Sequence, residues 1–248
     1  MRAILLVAGI GRRLANPECP KSMLVFGGKT LISRHVAALG EAGCTALTVV
    51  VGHQQDQIRD ELARLTPTFP ITVRDNVDFL EGSVVSLHVA REDLRDAGVR
   101  GEATVVMDGD VLYPPKLLSM LRDGGGTSAF LVDTRSVENG EEMMVGCKRG
   151  RALKIARRVF EGDEAGRWDL TGESVGFMKI GAAHAASMVT MLERHVADGH
   201  RKTEYEAVYD KFMKVHEVGI VDVGDAPWTE IDFEEDVAKA REIVAGWG

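Results

Sequence analysis

Apolar and polar positions along this chain repeat with two periods, and the switching between them predicts the architecture. Residues 3–7 form a short apolar run closed by glycine, suited to a buried parallel strand. Residues 31–39 place Leu31, Ile32, Val36 and Leu39 at helical spacing, and Gly43 supplies a stop. A β-branched run at 46–51 predicts a second strand, and 54–65 carries Ile58, Leu62 and Leu65 on one helical face. A short strand at 71–73, a helix over 84–94 and a strand at 104–107 continue the alternation. Pro114-Pro115 then opens a helix over 117–121. Strands alternating with helices in this way imply an α/β fold, with a mostly parallel central sheet and helices on both faces.

The second half is less regular. Strands are predicted at 128–132, 143–147, 153–158 and 174–180, with polar turns at 138–142, Arg149-Gly150 and 162–166. A helix follows at 183–196, a last strand at 216–223, and a last helix at 233–244 through Phe233, Val237, Ala240 and Val244. No linker and no internal repeat interrupts the pattern. The expectation is a single domain over 1–248 with a mixed, more antiparallel C-terminal part.

Composition narrows this picture. The chain has 248 residues, 45% apolar and 27% charged, enough for one sizeable core. There is no apolar run of about 18 residues, so no membrane span is expected. The apolar opening is too short for a signal peptide and leads into Arg12-Arg13 without a small-residue cleavage pattern, which points to a cytoplasmic protein. Cys19, Cys44 and Cys147 are scattered and odd in number, so neither a disulfide framework nor a metal knuckle follows. Cys44 closes an apolar helix pattern and reads as a small core residue.

The net charge of −8 argues against a nucleic-acid surface and makes local basic clusters informative. Arg12, Arg13 and Lys21 share one Gly- and Pro-containing loop. An acidic protein that handles an anionic small molecule needs such a patch. The loop begins Ala8-Gly9-Ile10-Gly11-Arg12-Arg13-Leu14. Glycines after a strand either make a tight turn or let backbone N–H groups approach phosphate oxygens. A Walker A loop would place Lys-Ser directly after its last glycine, whereas Lys21-Ser22 lies well past Gly11. A dinucleotide fingerprint needs a helix opening at the glycines and a third small residue; Leu14 stands there, and Pro17 and Pro20 break any helix.

The string Gly9-Ile10-Gly11-Arg12-Arg13-Leu14, then Pro20-Lys21, then Gly28-Lys29-Thr30-Leu31-Ile32, resembles the signature of the nucleotidyltransferase superfamily that activates sugar phosphates and related alcohols. The resemblance implies a Rossmann-like three-layer nucleotidyltransferase fold, with a nucleotide-binding half at about 1–125 and an acceptor-binding half at about 126–248. It implies that Ala8, Gly9, Gly11 and Arg12 wrap the triphosphate, while Arg13 and Lys21 stabilise phosphate charge as pyrophosphate leaves.

Two acidic sites follow. Met107-Asp108-Gly109-Asp110 ends a central strand, where open α/β sheets place ligands. An Asp-Gly turn needs no metal, but the resemblance implies that Asp110 holds Mg²⁺ and that Asp108 lies beside the nucleotide. In Trp228-Thr229-Glu230-Ile231-Asp232-Phe233, Asp232 with Glu235 reads as a capping box for the last helix. The resemblance instead gives Asp232 the second metal carboxylate. The seven histidines are dispersed, and an acceptor phosphate already ionised at neutral pH needs no general base.

The stretch Asp75-Asn76-Val77-Asp78-Phe79-Leu80-Glu81-Gly82-Ser83 is similar to the segment of cytidylyltransferases for phosphocholine, inositol 1-phosphate and aminoethylphosphonate, which makes Gly82 and Ser83 candidate base contacts. It lacks the paired Asn of the phosphocholine type and comes nearer the inositol type. The resemblance implies as acceptor candidates Arg157, near the position of a phosphate-holding Lys in related enzymes, with Glu173, Glu204, Tyr205, Trp228 and Glu230. Carboxylates with Tyr205 and Trp228 suit an amine through charge and cation–π attraction, whereas the 204–206 stretch also reads as a solvated helix face. The expected substrates are an NTP, foremost CTP, and a phosphorylated or phosphonate acceptor, with Mg²⁺ as cofactor and a monomer or homodimer as the assembly. A sugar-1-phosphate uridylyl- or guanylyltransferase is the alternative within the class. A non-catalytic nucleotide-sensing relative is a second, and keeping Arg13, Lys21, Asp110 and Asp232 together speaks against it.

Overall fold

The computed structural model describes residues 1–11, 13–14, 19–136, 140–158 and 166–247. In chain order the first half runs β1 (Arg2–Val7), β2 (Val25–Phe26), β3 (Lys29–Thr30), α1 (Leu31–Glu41), β4 (Leu47–Val51), α2 (Gln55–Arg64) and β5 (Ile71–Asp75). Next come α3 (Ser83–Val89), α4 (Arg91–Val99), β6 (Thr104–Asp108), β7 (Val111–Leu112) and α5 (Lys116–Asp123). The second half runs β8 (Ser128–Asp133), β9 (Met144–Lys148), β10 (Arg151–Ala156), β11 (Leu170–Ile180) and α6 (Ala182–Ala197). It closes with α7 (Glu206–Phe212), β12 (Val218–Asp222), β13 (Thr229–Glu230) and α8 (Glu234–Ala245).

One sheet takes strands from both halves in the order β10-β9-β11-β6-β1-β4-β5, with β8 pairing β11 and β12 pairing β8. The strands β5, β4, β1 and β6 are mutually parallel. β11 then enters antiparallel to β6 and continues the sheet into antiparallel β8 and β9. The expected parallel first half and more antiparallel second half are both present.

Side chains alternate across a strand, so β1 feeds two cores. Ala3, Leu5 and Val7 pack with α1, α2 and α5 on one face. Ile4 and Leu6 pack with α3, α4, α6 and α7 on the other. A third, smaller core joins the two ends of the chain: Leu14, Phe26 and Leu31 meet Leu112, Ile231, Val237 and Ala240. Burying each large side chain there contributes about 1.5–3 kcal/mol, and the cluster holds α8 against the loop after β1.

Four expectations need correction or completion. The helix expected over 84–94 is two helices that break at Ala90, whose φ of −88° and ψ of 8° leave the helical region. Alanine favours helix, so the periodic pattern carried no mark of the bend. The β7–β13 pair and the β2–β3 hairpin span two residues each, too short to show a period. The 204–206 stretch is not one solvated face: α7 begins at Glu206, and Tyr205 is buried. The turns expected at 138–142 and 162–166 lie in part outside the described residues. No helix among the described residues is long and apolar enough to cross a membrane.

Candidate active site

The site forms where the parallel strands end. The loop after β1 approaches closely because Gly11 has φ +66° and a Cβ there would lie 2.9 Å from Lys21 Cγ. That gap lets the Lys21 stem pass beneath the loop. Lys21 starts a 3₁₀ turn (Lys21–Met23) fixed by Met23 N–H donating to Pro20 O at 2.8 Å. Just after β6, Gly109 N–H donates to Leu6 O at 3.0 Å, and a Cβ on Gly109 would lie 2.2 Å from Val7 Cγ1. The chain therefore turns tightly against β1 and presents Asp110 to the loop.

β7 and β13 bring in the C-terminal acids. Val111 pairs Glu230, Leu112 pairs Thr229, and Ile231 N–H donates to Asp110 O at 2.9 Å. This short ladder sets Asp110, Glu230 and Asp232 together, with one carboxylate oxygen from each lying within 4.8 Å of the others. Lys21 Nζ sits between two of them, 2.9 Å from Asp110 Oδ2 and 2.5 Å from Asp232 Oδ1. Arg13 donates to Asp232 Oδ2 at 2.8 Å and lies over the Phe233 ring. Burial alone would lower the Lys21 pKa; Asp110 and Asp232 outweigh it and hold the ammonium well above the ordinary lysine range. Three carboxylates, two of them already sharing a cation, are a hard oxygen donor set that fits a divalent ion such as Mg²⁺.

The expected capping role of Asp232 passes to Asp236. Phe233 stays extended, so α8 starts one residue later, and Asp236 Oδ2 accepts from the N–H groups of Asp232 at 2.9 Å and Phe233 at 2.8 Å. The Asp232 carboxylate is left to Lys21 and Arg13.

A cleft of about 310 Å³ opens beside the acids. It gathers Ala8 and Gly9 of the loop, Gly82 and Ser83 at the start of α3, Asp108, Asp110, Arg157, Glu204, Tyr205, Glu230 and Asp232. Gly11 and Lys21 line a small cavity next to it. Arg12 lies outside the described residues.

Two expected acceptor residues stand elsewhere. Trp228 is packed in a core, its indole N–H donating to Asp133 Oδ2 at 2.9 Å, and Glu173 accepts from the Ser136 hydroxyl at 2.6 Å. Both line a neighbouring cavity of about 910 Å³ that shares Glu230 and Asp232 with the cleft. Trp228 follows the exposed Pro227 and turns inward, where its large apolar ring is better satisfied in the core than facing solvent.

Asp108 is held apart from the three clustered acids. Its Oδ2 accepts from the Tyr205 hydroxyl at 2.5 Å, and burial together with the Asp110 and Glu206 charges raises its pKa well above the usual carboxylate range. Gly176, at φ +77° in the bulge of β11, makes room for it: a Cβ there would lie 2.5 Å from the same oxygen. Arg157 donates to Glu204 at 2.9 Å and also to Glu141 O. Glu206, Glu81, Glu141 and Gly176 line the cleft without having been singled out as site residues. Glu81 and Glu206 carried a signal, as members of the 75–83 and 204–206 stretches.

A family model described as the MobA-like NTP transferase domain matches residues 3–173. A protein of Rubrobacter xylanophilus named bifunctional IPC transferase and DIPP synthase is 26% identical over 250 residues, covering 99% of this chain and 52% of that protein. The chain thus spans about half the length of the curated relatives it matches. Among solved structures, the inositol-1-phosphate CTP transferase of T. maritima superposes with a TM-score of 0.76 at 21% identity, covering 98% of this chain and 95% of the other. The CTP:phosphocholine cytidylyltransferase of Streptococcus pneumoniae gives 0.74 at 20% identity, covering 98% of each chain.

Proposed function

The chain belongs to the MobA-like NTP transferase family, and from that premise we propose that it transfers a cytidylyl group from CTP to a small phosphorylated or phosphonate acceptor, releasing pyrophosphate. The observation that carries this reading is Lys21 seated between Asp110 and Asp232, under the glycine loop and in the small cavity beside the cleft. A phosphoryl-transfer site needs fixed cations beside the triphosphate and oxygen ligands for a metal, and both converge here.

In the reaction, an acceptor phosphate oxygen bonds to the α-phosphorus of CTP as the bond from that phosphorus to the bridging oxygen breaks. The electron pair leaves with pyrophosphate. The glycine-loop N–H groups and the Arg13 guanidinium hold the triphosphate oxygens. Lys21 gives up its carboxylate partners for the phosphates, where its fixed charge offsets the charge gathering on the leaving group. Asp110, Asp232 and Glu230 would hold Mg²⁺, which supplies further neutralisation of phosphate charge when bound. No histidine takes part, because the nucleophile arrives ionised.

The far side of the cleft carries Glu204, Glu206 and Tyr205, with Arg157 facing them. The Glu204 carboxylate and an aromatic ring suit an acceptor with an ammonium group, and Arg157 suits its phosphate. A polyol acceptor of the inositol-phosphate kind is the second reading. It is favoured by the loop around Gly82 and by the inositol-1-phosphate CTP transferase among the structural neighbours; carboxylates accept hydroxyl protons as readily as they pair with amines.

Pyrophosphate release from the four NTPs against phosphocholine, aminoethylphosphonate, inositol 1-phosphate and glucose 1-phosphate, with Mg²⁺, tests the reading. Turnover with CTP and one of the first three acceptors supports it and identifies the acceptor class. Turnover only with glucose 1-phosphate overturns the acceptor and leaves the transfer chemistry standing.

A further inference from the structure

Two loops that meet over the cleft are stitched together by backbone and side chain. Gly82 N–H donates to Arg201 O at 2.8 Å and Val84 N–H to Thr203 O at 3.3 Å. Tyr205 N–H donates to Ser83 Oγ at 3.1 Å. The Arg201 guanidinium spans two acids of the facing loop, Glu81 at 2.7 Å and Asp78 at 2.8 Å. A Cβ on Gly82 would lie 2.0 Å from Thr203 O, so only glycine lets the two backbones close this far.

A series of hydrogen bonds backs the contact from α6 and α7. Lys211 Nζ stands 2.9 Å from His195 Nδ1, and His195 Nε2 stands 2.7 Å from Thr203 Oγ1, whose hydroxyl donates to His200 O at 3.0 Å. The ammonium has no lone pair, so Nδ1 accepts and Nε2 carries the proton to Thr203. His195 is buried, and each donor in the series has one acceptor.

The loop through Glu81 and Gly82 and the segment ending in Glu204 and Tyr205 both line the cleft, and the proposed reaction gives the first to the nucleotide and the second to the acceptor. Resting on the cytidylyl-transfer reading, we propose that Arg201, Thr203 and His195 are positioning residues that make the two substrate seats one mechanical unit. The first substrate orders its own loop and, through the stitched contact, orders Glu204 and Tyr205 for the second. The second then binds without repeating that ordering cost, which is positive coupling between the sites.

The test uses Thr203→Val, which keeps shape and removes the hydroxyl, beside Thr203→Ser, which restores it, and Arg201→Gln. Hydrogen exchange of the free protein comes first. Thr203→Val is expected to speed exchange both in 200–205 and across the contact in 76–84, with Thr203→Ser close to wild type. Faster exchange confined to 200–205, or equal effects of Val and Ser, overturns the proposal. Steady-state kinetics with CTP, Mg²⁺ and the accepted substrate come second. Thr203→Val and Arg201→Gln are expected to raise the acceptor KM about ten-fold, within the usual range of site coupling, while kcat stays within about two-fold. An acceptor KM equal to wild type overturns it. Should the wild-type chain release no pyrophosphate, the transfer reading fails by itself, and the exchange experiment still decides whether the two loops move together.

Discussion

Lys21 Nζ donates to Asp110 Oδ2 across 2.9 Å, although the residues stand 89 positions apart in the chain. The same ammonium reaches Asp232, so one cation bridges carboxylates from a central strand end and from the C-terminal region. A lysine in that place is at once the partner of the acids and the competitor of any metal they would bind. The consequences are measurable.

Asp110→Asn keeps the size of the side chain and an acceptor for Lys21 but removes the charge. Mg²⁺-dependent turnover is expected to fall by about a hundred-fold or more, in line with the loss of one electrostatic contact at a phosphoryl-transfer site. The melting temperature should shift by only a few degrees, since the side chain lies at the cleft rather than in a core. Pyrophosphate release titrated with Mg²⁺ checks this; an Asn variant with wild-type metal-dependent turnover sinks the role given to Asp110.

Lys21→Ala should slow turnover far more than it weakens folding, because the lysine stem supports little core. It should also leave Asp110 without its cation and Asp232 with Arg13 as its remaining partner. Mg²⁺ is therefore expected to raise the melting temperature more in the variant than in the wild type, by mass action on a site freed of its competitor. Thermal melts with and without Mg²⁺ decide it, and equal shifts in both proteins would separate Lys21 from the metal site.

Glu206 gives a pH dependence with a definite sign. Burial, reinforced by the Glu204 and Glu230 charges, pushes its pKa from 4.5 up to about 8. Between those values the folded chain keeps a proton that the unfolded chain has released. The stability contributed by this group is therefore complete below about 4.5 and is lost as pH rises through about 8. Glu206→Gln, a neutral isostere, should flatten that decline in melts taken from acid to mildly alkaline pH. Parallel curves for the two proteins would mean that Glu206 is ionised in the native cleft.

Gly176→Ala places a methyl group against Asp108 Oδ2 in a backbone region that alanine avoids. The expected cost is about 1–3 kcal/mol of stability, with a fall in kcat/KM as Asp108 and Tyr205 move. Urea denaturation reads the first and acceptor kinetics the second; an unchanged midpoint would contradict the bulge geometry.

The strands and helices of the first half were legible because a buried parallel strand and an amphipathic helix each leave a period in the chain. Residues 3–7, 46–51 and 104–107 lie inside β1, β4 and β6 apart from Ala46 at one edge. The break at Ala90 was not legible, since a bend at a good helix former costs little and changes no apolar position. Glu230, an acceptor candidate from the sequence, lines the cleft and also shares one space with Asp110 and Asp232. Trp228, an acceptor candidate from the sequence, has its indole turned to Asp133 in a core.

The chain by itself determined the layered α/β order, the glycine loop with its basic neighbours and the acid types placed near strand ends, because local backbone periods and turn chemistry are written in consecutive residues. Only the tertiary structure decided which acids share one space and which loops touch. Those pairings rest on a two-residue ladder between β7 and β13, on a small core joining Leu14 to Ile231, and on a glycine that admits Thr203 against Gly82. Each is a contact between segments far apart in sequence, fixed by how closely two surfaces can pack, and close packing between distant segments leaves no period to read.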